Sequence, residues 1–196
     1  MSLLVSVPFY VVLLHHPIKN RHGKIVTTAV TNMDIHDISR TAKTYGASQY
    51  FVVTPIEEQH ELIGRILNHW NQDSVKEGHP DRVKAVSLVQ MSYSFKQVKE
   101  AIAKEHGVEP IVVLTSAQAK PESVTYEDFR KELRELQSDP RPVVLVFGTG
   151  WGIADSFFPE VDRTLAPIYG PEGDQGYNHL SVRSAVATVC DRLFGR

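Results

Sequence analysis

Short apolar runs alternate with helical patterns along this chain, and that alternation constrains the fold more than any other feature. The runs are rich in Val, Ile and aromatic residues, and they lie at residues 8–14, 25–30, 50–54, 85–91, 111–115, 143–147 and 164–168. Nearly continuous apolar runs of this length are typical of strands that are covered on both faces of a sheet. The runs therefore predict a mainly parallel sheet.

Between most of the runs, apolar residues recur at the spacing of a helix face. Helices are predicted around residues 35–45, 62–70, 95–102, 126–136 and 180–193, the fourth ending before Pro140, and loops are predicted at 72–83 and 116–123. Strands that alternate with helices indicate an α/β fold with a doubly wound sheet. A chain of 196 residues has the length of one such unit, so we predict a single domain over residues 1–196.

The distribution of charge along the chain is uneven. The net charge is −2, which argues against a polybasic protein whose affinity for nucleic acid depends mainly on counterion release. The first 50 residues nevertheless carry a net charge of +3, and the remainder carries −5. Lys19, Arg21 and Lys24 lie in this basic quarter, which is either a solvated loop or a docking surface for phosphate.

The single cysteine and the first residues bear on the cellular compartment. Cys190 cannot form an intramolecular disulfide, and its place on the apolar face of the last helix predicts a buried, inert thiol. Residues 1–14 are apolar but lack a basic start, and Pro8 interrupts them, so we predict a buried strand there and neither a signal peptide nor a membrane span. The histidine spacings predict no metal site. These features favour a cytoplasmic protein.

Ligands of open α/β sheets bind beyond the carboxyl ends of the strands. That rule points to Thr115 and Ser116, to the glycine-rich residues 148–152, and to residues 169–179. Glycines after a strand let the backbone approach a ligand, although a tight turn alone also explains them. Ile153 stands where a dinucleotide fingerprint requires Gly, and no P-loop Lys is present, so NAD and ATP are disfavoured.

Three segments of the chain, in order, resemble motifs of the SPOUT methyltransferases. Residues 31–42, which include Arg40, Thr41 and Ala42 and are followed by Tyr45 and Gly46, are similar to the first motif. Residues 147–152 are similar to the second motif, and residues 177–185 to the third. The branch that the chain resembles is similar to a domain sometimes fused behind bacterial tRNA guanine-N1 methyltransferase.

The resemblance implies a C-terminal trefoil knot in the α/β fold, S-adenosylmethionine (SAM) as cofactor, RNA (tRNA or rRNA) as substrate, and a homodimer formed through the knot. The implied cofactor-binding residues are Thr115, Ser116, Gly148, Thr149, Gly150, Trp151, Ile168, Tyr169, Gly170, Pro171, Tyr177, Asn178, His179 and Leu180. Within that set, Asn178 is also a candidate N-cap of the last helix.

The chain departs from the SpoU-type pattern at three positions. Asp34 stands where those enzymes carry a substrate-side Asn, Gly150 where they carry Glu, and Ser181 where they carry Asn. The residue set for ribose 2′-O methylation is therefore not intact, which leaves base methylation and other ribose chemistry open. A non-catalytic module that binds cofactor or RNA is the alternative, and a flavodoxin-like or dinucleotide enzyme is a remote third.

Methyl transfer from SAM depends mainly on positioning, with a base to remove the acceptor proton. Asp34, Asp155 and Asp174 are candidates for that base. Arg40 is expected near the reacting centre, where it would orient a phosphate or stabilise developing charge; its alternative role is a surface ion pair with Asp37. Lys19, Arg21 and Lys24 are expected to touch RNA phosphates.

Overall fold

A seven-stranded, fully parallel sheet forms the centre of the protein. The structure is a computed structural model and describes residues 7–136, 141–173 and 175–196. Side by side, the strands are β5 (Val89–Ser92), β4 (Gln49–Val53), β1 (Phe9–Leu14), β8 (Val143–Gly148), β6 (Ile111–Leu114), β9 (Arg163–Leu165) and β7 (Ser123–Val124). A separate antiparallel hairpin is formed by β2 (Ile18–Lys19) and β3 (Ile25–Val26).

Helices cover both faces of this sheet. They are α1 (Asn32–Tyr45), α2 (Glu57–Trp70), α3 (Asp73–Gly78), α4 (Pro80–Val86), α5 (Phe95–His106), α6 (Tyr126–Glu135) and α7 (Val182–Phe194), together with a 3₁₀ helix at Asp155–Glu160. The first helix shows how the sequence sets these boundaries. The Thr31 side chain caps α1, and Gly46 ends it with φ +82°, a conformation that favours glycine.

Alternate residues of each central strand enter two different cores. Phe9 and Val11 of β1 pack in the core that includes residues of α1, α6 and α7, whereas Tyr10 and Val12 pack in the core that includes residues of α5. Successive side chains of a strand point to opposite faces, so a strand buried on both faces must be apolar at every position. The doubly wound α/β sheet predicted from the apolar runs is therefore confirmed.

Several predicted boundaries differ from the structure. The predicted strand at residues 25–30 is wrong beyond Val26, and the β3 part belongs to the small hairpin. The predicted loop at residues 72–83 contains α3 and the start of α4, because Pro80 opens α4 and each of these helices carries an i,i+3 Lys–Asp ion pair. The predicted strand at residues 85–91 is wrong at its start, because Ala85 and Val86 are the last residues of α4 and strand β5 begins at Val89.

Other predictions are confirmed or stay open. Cys190 is buried, and burial raises the pKa of its thiol to about 12. No helix within the described ranges combines the length and apolar composition needed to cross a membrane. Helix α6 ends at Glu135, before Pro140 as predicted. The start of the predicted first strand (residues 1–6) and the candidate base Asp174 lie outside the described residues. The trefoil knot stays a prediction.

Candidate active site

Three neighbouring strands end together at one edge of the sheet, and the three predicted ligand loops follow them. Strands β8, β6 and β9 lie side by side and are parallel, so the loops after Gly148, Leu114 and Leu165 leave the same edge. Thr115 fixes the first turn of the β6 loop, because its N–H and its Oγ1 both donate to the Val146 carbonyl, at 3.0 and 2.9 Å. The β6 loop is thereby tied to β8.

The long segment between β9 and α7 returns to the β6 loop. The Asn178 Nδ2 donates to the Ala117 carbonyl at 2.8 Å, which joins the segment after β9 to the loop after β6. Asn178 is not the N-cap of α7; Ser181 holds that position, and its Oγ accepts from the Ser184 N–H at 3.2 Å. Leu180 accordingly precedes the helix and is 50% exposed. The segment thus presents side chains to solvent above the β6 loop.

The loop after β8 packs against the β2–β3 hairpin. Backbone hydrogen bonds join Lys19 to Trp151 and to Gly152, at 3.1 and 2.8 Å. A Cβ added at Gly148 would lie 2.5 Å from Ile153 Cγ1, and Gly150 has φ +55° with Ile18 Cγ2 3.1 Å from an added Cβ. Glycine is therefore required at both positions by close packing within the protein itself.

A partly buried chain of hydrogen bonds connects the central strand to this loop. The His15 Nδ1 bonds the Thr28 Oγ1 at 2.9 Å, and the Thr28 and Thr149 hydroxyls share a hydrogen bond of 2.6 Å. His15 is fully buried, and its Nε2 has no hydrogen-bond partner among the described residues. Burial lowers the pKa of His15 to about 4, against an opposing effect of the Asp34 carboxylate. His15 is therefore neutral at physiological pH.

Asp34 links the start of α1 to the start of α7. Its Oδ1 accepts from Arg183 Nη1 at 2.9 Å, and its Oδ2 accepts from Thr31 Oγ1 at 2.6 Å. Both oxygens of this buried carboxylate are therefore engaged. Arg183 also contacts Asp37 at 3.5 Å, so the ion pair considered for Asp37 and Arg40 is not formed. Arg183 lies inside the third SPOUT-like motif, but no local pattern of the sequence singles it out as the partner of Asp34.

The structure separates the other predicted catalytic residues. Arg40 is exposed and lines a cleft between α1 and α4, whereas Asp34, six residues earlier, faces α7. Asp155 begins the 3₁₀ helix and pairs with Lys19 at 3.1 Å, with 73% of its side chain exposed. Lys19 therefore lies beside a predicted base. The sequence did not predict this contact, because 136 residues separate Lys19 from Asp155.

Arg21 and Lys24 occupy the exposed tip of the β2–β3 hairpin. The Asn20 side-chain oxygen accepts from the N–H groups of His22 and Lys24, at 2.9 and 3.0 Å, which shapes the turn. The Arg21 Nε donates to His22 Nε2 at 3.0 Å. In the described part of the chain, no group of three His, Cys, Asp or Glu side chains is arranged to hold a metal ion.

Sequence comparison places this chain in a known family. A family model described as SAM-dependent RNA methyltransferase matches residues 8–195. An uncharacterized protein of Aquifex aeolicus is 40% identical over 194 residues, covering 99% of this chain and 92% of that protein. A tRNA (guanine-N(1)-)-methyltransferase of Oleidesulfovibrio alaskensis is 38% identical over 186 residues, which is 95% of this chain and 42% of the relative. This chain thus spans less than half of that enzyme.

Solved structures show the same fold at low sequence identity. The TrmH/SpoU tRNA modifying enzyme of A. aeolicus has a TM-score of 0.55 at 15% identity, covering 96% of this chain and 74% of that one. The SpoU methyltransferase AviRb of Streptomyces viridochromogenes, in complex with the cofactor AdoMet (SAM), has a TM-score of 0.56 at 14% identity. The match covers 96% of this chain and 57% of that one. The chain belongs to the family of SAM-dependent RNA methyltransferases and has the α/β fold of the SPOUT enzymes.

Proposed function

We propose that this protein methylates tRNA at the carboxyl edge of β8, β6 and β9, as a single methyltransferase domain. The observation that carries the proposal is the convergence of the three loops predicted to hold SAM, two of which are joined by the bond from Asn178 to Ala117. The name of the O. alaskensis relative supports tRNA as the substrate. The two cores share one sheet, which supports a single domain.

The residues present at this edge fit SAM. An added Cβ at Gly170 would meet no atom within 4 Å, so space is open beside the backbone of the third loop. Three aromatic side chains at this edge are exposed to solvent: Trp151 is 69% exposed, Tyr169 37% and Tyr177 82%. Flat rings of this kind suit an adenine base. The residues proposed to hold SAM are Thr115, Ser116, Gly148, Thr149, Gly150, Trp151, Ile168, Tyr169, Gly170, Pro171, Tyr177, Asn178, His179 and Leu180.

When bound, SAM supplies a methyl group on a sulfonium, which is already activated for transfer. The chain must therefore hold the acceptor in line, and positioning of this kind contributes about 7–11 kcal/mol in favourable cases. A base that takes the acceptor proton adds roughly 10²–10⁴-fold in rate. The exposed Asp155 carboxylate is available for that step, whereas the Asp34 carboxylate orients Arg183. Arg40 is proposed to orient a phosphate of the RNA.

Lys19, Arg21 and Lys24 are proposed to bind RNA phosphates next to the reacting edge. The hairpin that carries them packs on the loop after β8, so a phosphate at its tip would lie near the proposed SAM loops. Arg21 and Lys24 are exposed. Phosphate contacts of this kind set the position of a nucleic acid without specifying its sequence.

A homodimer is proposed to cover apolar side chains at the same edge. Met33 is 57% exposed and Leu180 is 50% exposed, and the Asp34–Arg183 pair brings the helix starts that carry them together. Soluble monomers rarely leave large contiguous apolar patches in water. A second copy of the chain, docked through the region from Leu180 onward, would bury them. The trefoil knot implied by the SPOUT resemblance belongs to the same proposal, as does a cytoplasmic location, where tRNA is present.

The test is transfer of a labelled methyl group from SAM into tRNA purified from cells that lack the gene. We expect incorporation, and calorimetry should show one SAM bound per chain. SAM binding without incorporation into tRNA or rRNA would favour the non-catalytic module, and absence of SAM binding would contradict the proposed site. Gly170→Leu should block SAM binding, while Gly64→Leu, at another position where an added Cβ meets nothing within 4 Å, should leave it intact.

A further inference from the structure

A basic cleft lies between α1 and α4, on the flank of the protein. It has a volume of about 480 Å³ and is lined by Arg40, Lys43, Thr44, Asp81, Arg82, Lys84 and Ala85. Four of these residues are cationic and one is acidic. Among the described residues, the Asp81 carboxylate forms one ion pair, an exposed contact with Lys84 at 3.3 Å. The cleft therefore carries a strong excess of positive charge in a protein whose net charge is −2.

Most of the cations in the cleft lack a carboxylate partner. Within the residues that the structure describes, Arg40, Lys43 and Arg82 form no ion pair. The Arg82 guanidinium instead lies over the Trp70 ring, 5.2 Å from its centroid, and this contact holds the cation in place without neutralising it. Exposed cations held in this way are available to an anionic ligand.

The Trp70 ring contacts both the half-buried His36 imidazole of α1 and the Arg82 guanidinium of α4. His36 packs edge-on against Trp70, with the ring centroids 5.2 Å apart. Its pKa is lowered first by burial, then by the positive charges of Arg82 and Arg40, while Asp37 acts in the opposite direction. The guanidinium groups of α1 and α4 thus act on the same point, although they come from separate parts of the sequence.

The cleft is distant from the reacting edge. Asp34 lies at the carboxyl edge, and Lys43 is nine residues further along α1, which corresponds to about 14 Å at about 1.5 Å per residue. A single nucleotide at the edge cannot fill both places, whereas a polynucleotide can. The cleft is also separate from the β2–β3 hairpin, which packs on the loop after β8.

We propose that the α1–α4 cleft binds the phosphate backbone of the RNA substrate at a point away from the methylated nucleotide. The inference rests on the proposed function for its choice of ligand, because a tRNA methyltransferase must hold a long polyanion and the cleft offers unpaired cations along its flank. Contacts of this kind contribute affinity and register, and they are independent of the SAM loops.

The experiment compares two double variants of the full-length protein. Lys43→Ala with Lys84→Ala removes two lysines from the cleft, and Lys96→Ala with Lys104→Ala removes two exposed lysines from α5, on the opposite face of the sheet. Each pair contains one lysine that contacts a carboxylate within its own helix, which matches the two changes. The probe is bulk tRNA from cells that lack the gene, and the dissociation constant is measured at several salt concentrations.

We expect the cleft variant to bind tRNA about tenfold more weakly, with a salt dependence shallower by about 0.7–0.9 in log–log slope for each lost phosphate contact. Its KM for tRNA should rise while kcat at saturating tRNA and SAM affinity stay at the wild-type values. The α5 variant should match the wild type in all five measurements.

Equal tRNA affinity and salt slope in the two double variants would overturn the inference, as would a wild-type protein that does not bind tRNA. The proposed function fails separately. If the wild type binds tRNA through the cleft but transfers no methyl group, the cleft stands and the activity does not. If the wild type methylates tRNA and the cleft variant keeps the wild-type tRNA affinity and KM, the activity stands and the cleft does not.

Discussion

His15 combines complete burial with a titratable imidazole. Its pKa is about 4 in the folded protein, against an ordinary value of 6.5. Between these values the unfolded chain binds more protons than the native state, so protonation favours unfolding. We expect the free energy of unfolding to fall by about 3 kcal/mol from this group alone as the pH drops from 6.5 to 4. Urea unfolding across that range measures the effect.

A substitution isolates the contribution of this histidine. His15→Asn keeps a polar atom near the Thr28 hydroxyl but cannot titrate, so the stability profile should become flatter between pH 6.5 and 4. His22→Asn, at an exposed position in the β2–β3 hairpin, should keep the wild-type slope. An unchanged slope in His15→Asn would contradict the assignment of the acid sensitivity to His15.

Asp34 offers a second prediction at the scale of one residue. Asp34→Ala leaves Arg183 without its closest carboxylate and removes the bond from the Thr31 hydroxyl, so we expect a loss of about 2–3 kcal/mol in the free energy of unfolding. Asp37→Ala removes a longer, half-exposed contact to the same Arg183 and should cost less than about 1 kcal/mol.

A second substitution at Asp34 separates structure from catalysis. If Asp34 were the base that the sequence suggests, Asp34→Asn would abolish single-turnover methyl transfer while stability stayed close to wild type. We expect a measurable loss of stability instead, with methyl transfer reduced only as far as Arg183 is displaced.

Individual residues were the hardest level to predict from the sequence. The motif resemblance pointed to Asp34 and to the segment that contains Arg183, but the contact between them joins positions 149 residues apart. Local patterns report which face of a helix is apolar, and they do not report which polar residue meets which across two helices. The pairing of Lys19 with Asp155 was missed for the same reason.

At the scale of secondary-structure elements, α7 separates capping from ligand contact. Ser181 caps the helix and Asn178 reaches across to the Ala117 carbonyl. Ser181→Ala should lower the free energy of unfolding by about 1 kcal/mol. Asn178→Ala should change stability less and should weaken SAM binding by about tenfold, because it releases two of the three SAM loops from each other.

Calorimetry and urea unfolding of both variants test this division of roles. The opposite result, in which Asn178→Ala destabilises the fold and Ser181→Ala weakens SAM binding, would return Asn178 to the capping role that its place before the helix suggests. From the sequence Asn178 was the one candidate N-cap, but Ser181, three positions later, is also a good capping residue and holds that position.

Element type was predictable where burial was complete. Strand β1 and strand β8 are apolar at nearly every position because both of their faces are covered, and the sequence shows this directly. Two-residue strands such as β7 leave too short a pattern to detect. The short helices α3 and α4 bury little, so their sequence resembles that of a loop.

At the scale of the whole molecule, the apolar edge predicts self-association. Light scattering should report roughly twice the chain mass of 22.0 kDa at micromolar concentration. Leu180→Asp should shift the protein towards the monomer, because a buried, unpaired carboxylate is costly at an interface. Val108→Asp, at an exposed apolar position after α5, should leave the mass unchanged. A monomeric wild type would contradict the proposed dimer.

The shared edge of the three predicted ligand loops was predictable for the whole molecule, whereas the strand order was not. Parallel strands expose their carboxyl ends at one edge, so a rule about α/β sheets sufficed to select the loops after β6, β8 and β9. The order of the strands depends on crossovers that join distant segments, and no local pattern encodes them.

The position of β1 in the middle of the sheet has a consequence for synthesis on the ribosome. One side of β1 pairs with β4, which is synthesised soon after it. The other side pairs with β8, so Leu14 has no partner on that side until Gly148 has been synthesised. The nascent chain therefore carries an unpaired inner strand until most of its length has been made, and contacts over such sequence separations slow folding. A ribosome-stalled chain that ends before residue 143 should remain sensitive to protease along its first hundred residues. A longer chain, in which β8 has emerged from the ribosome, should be protected there.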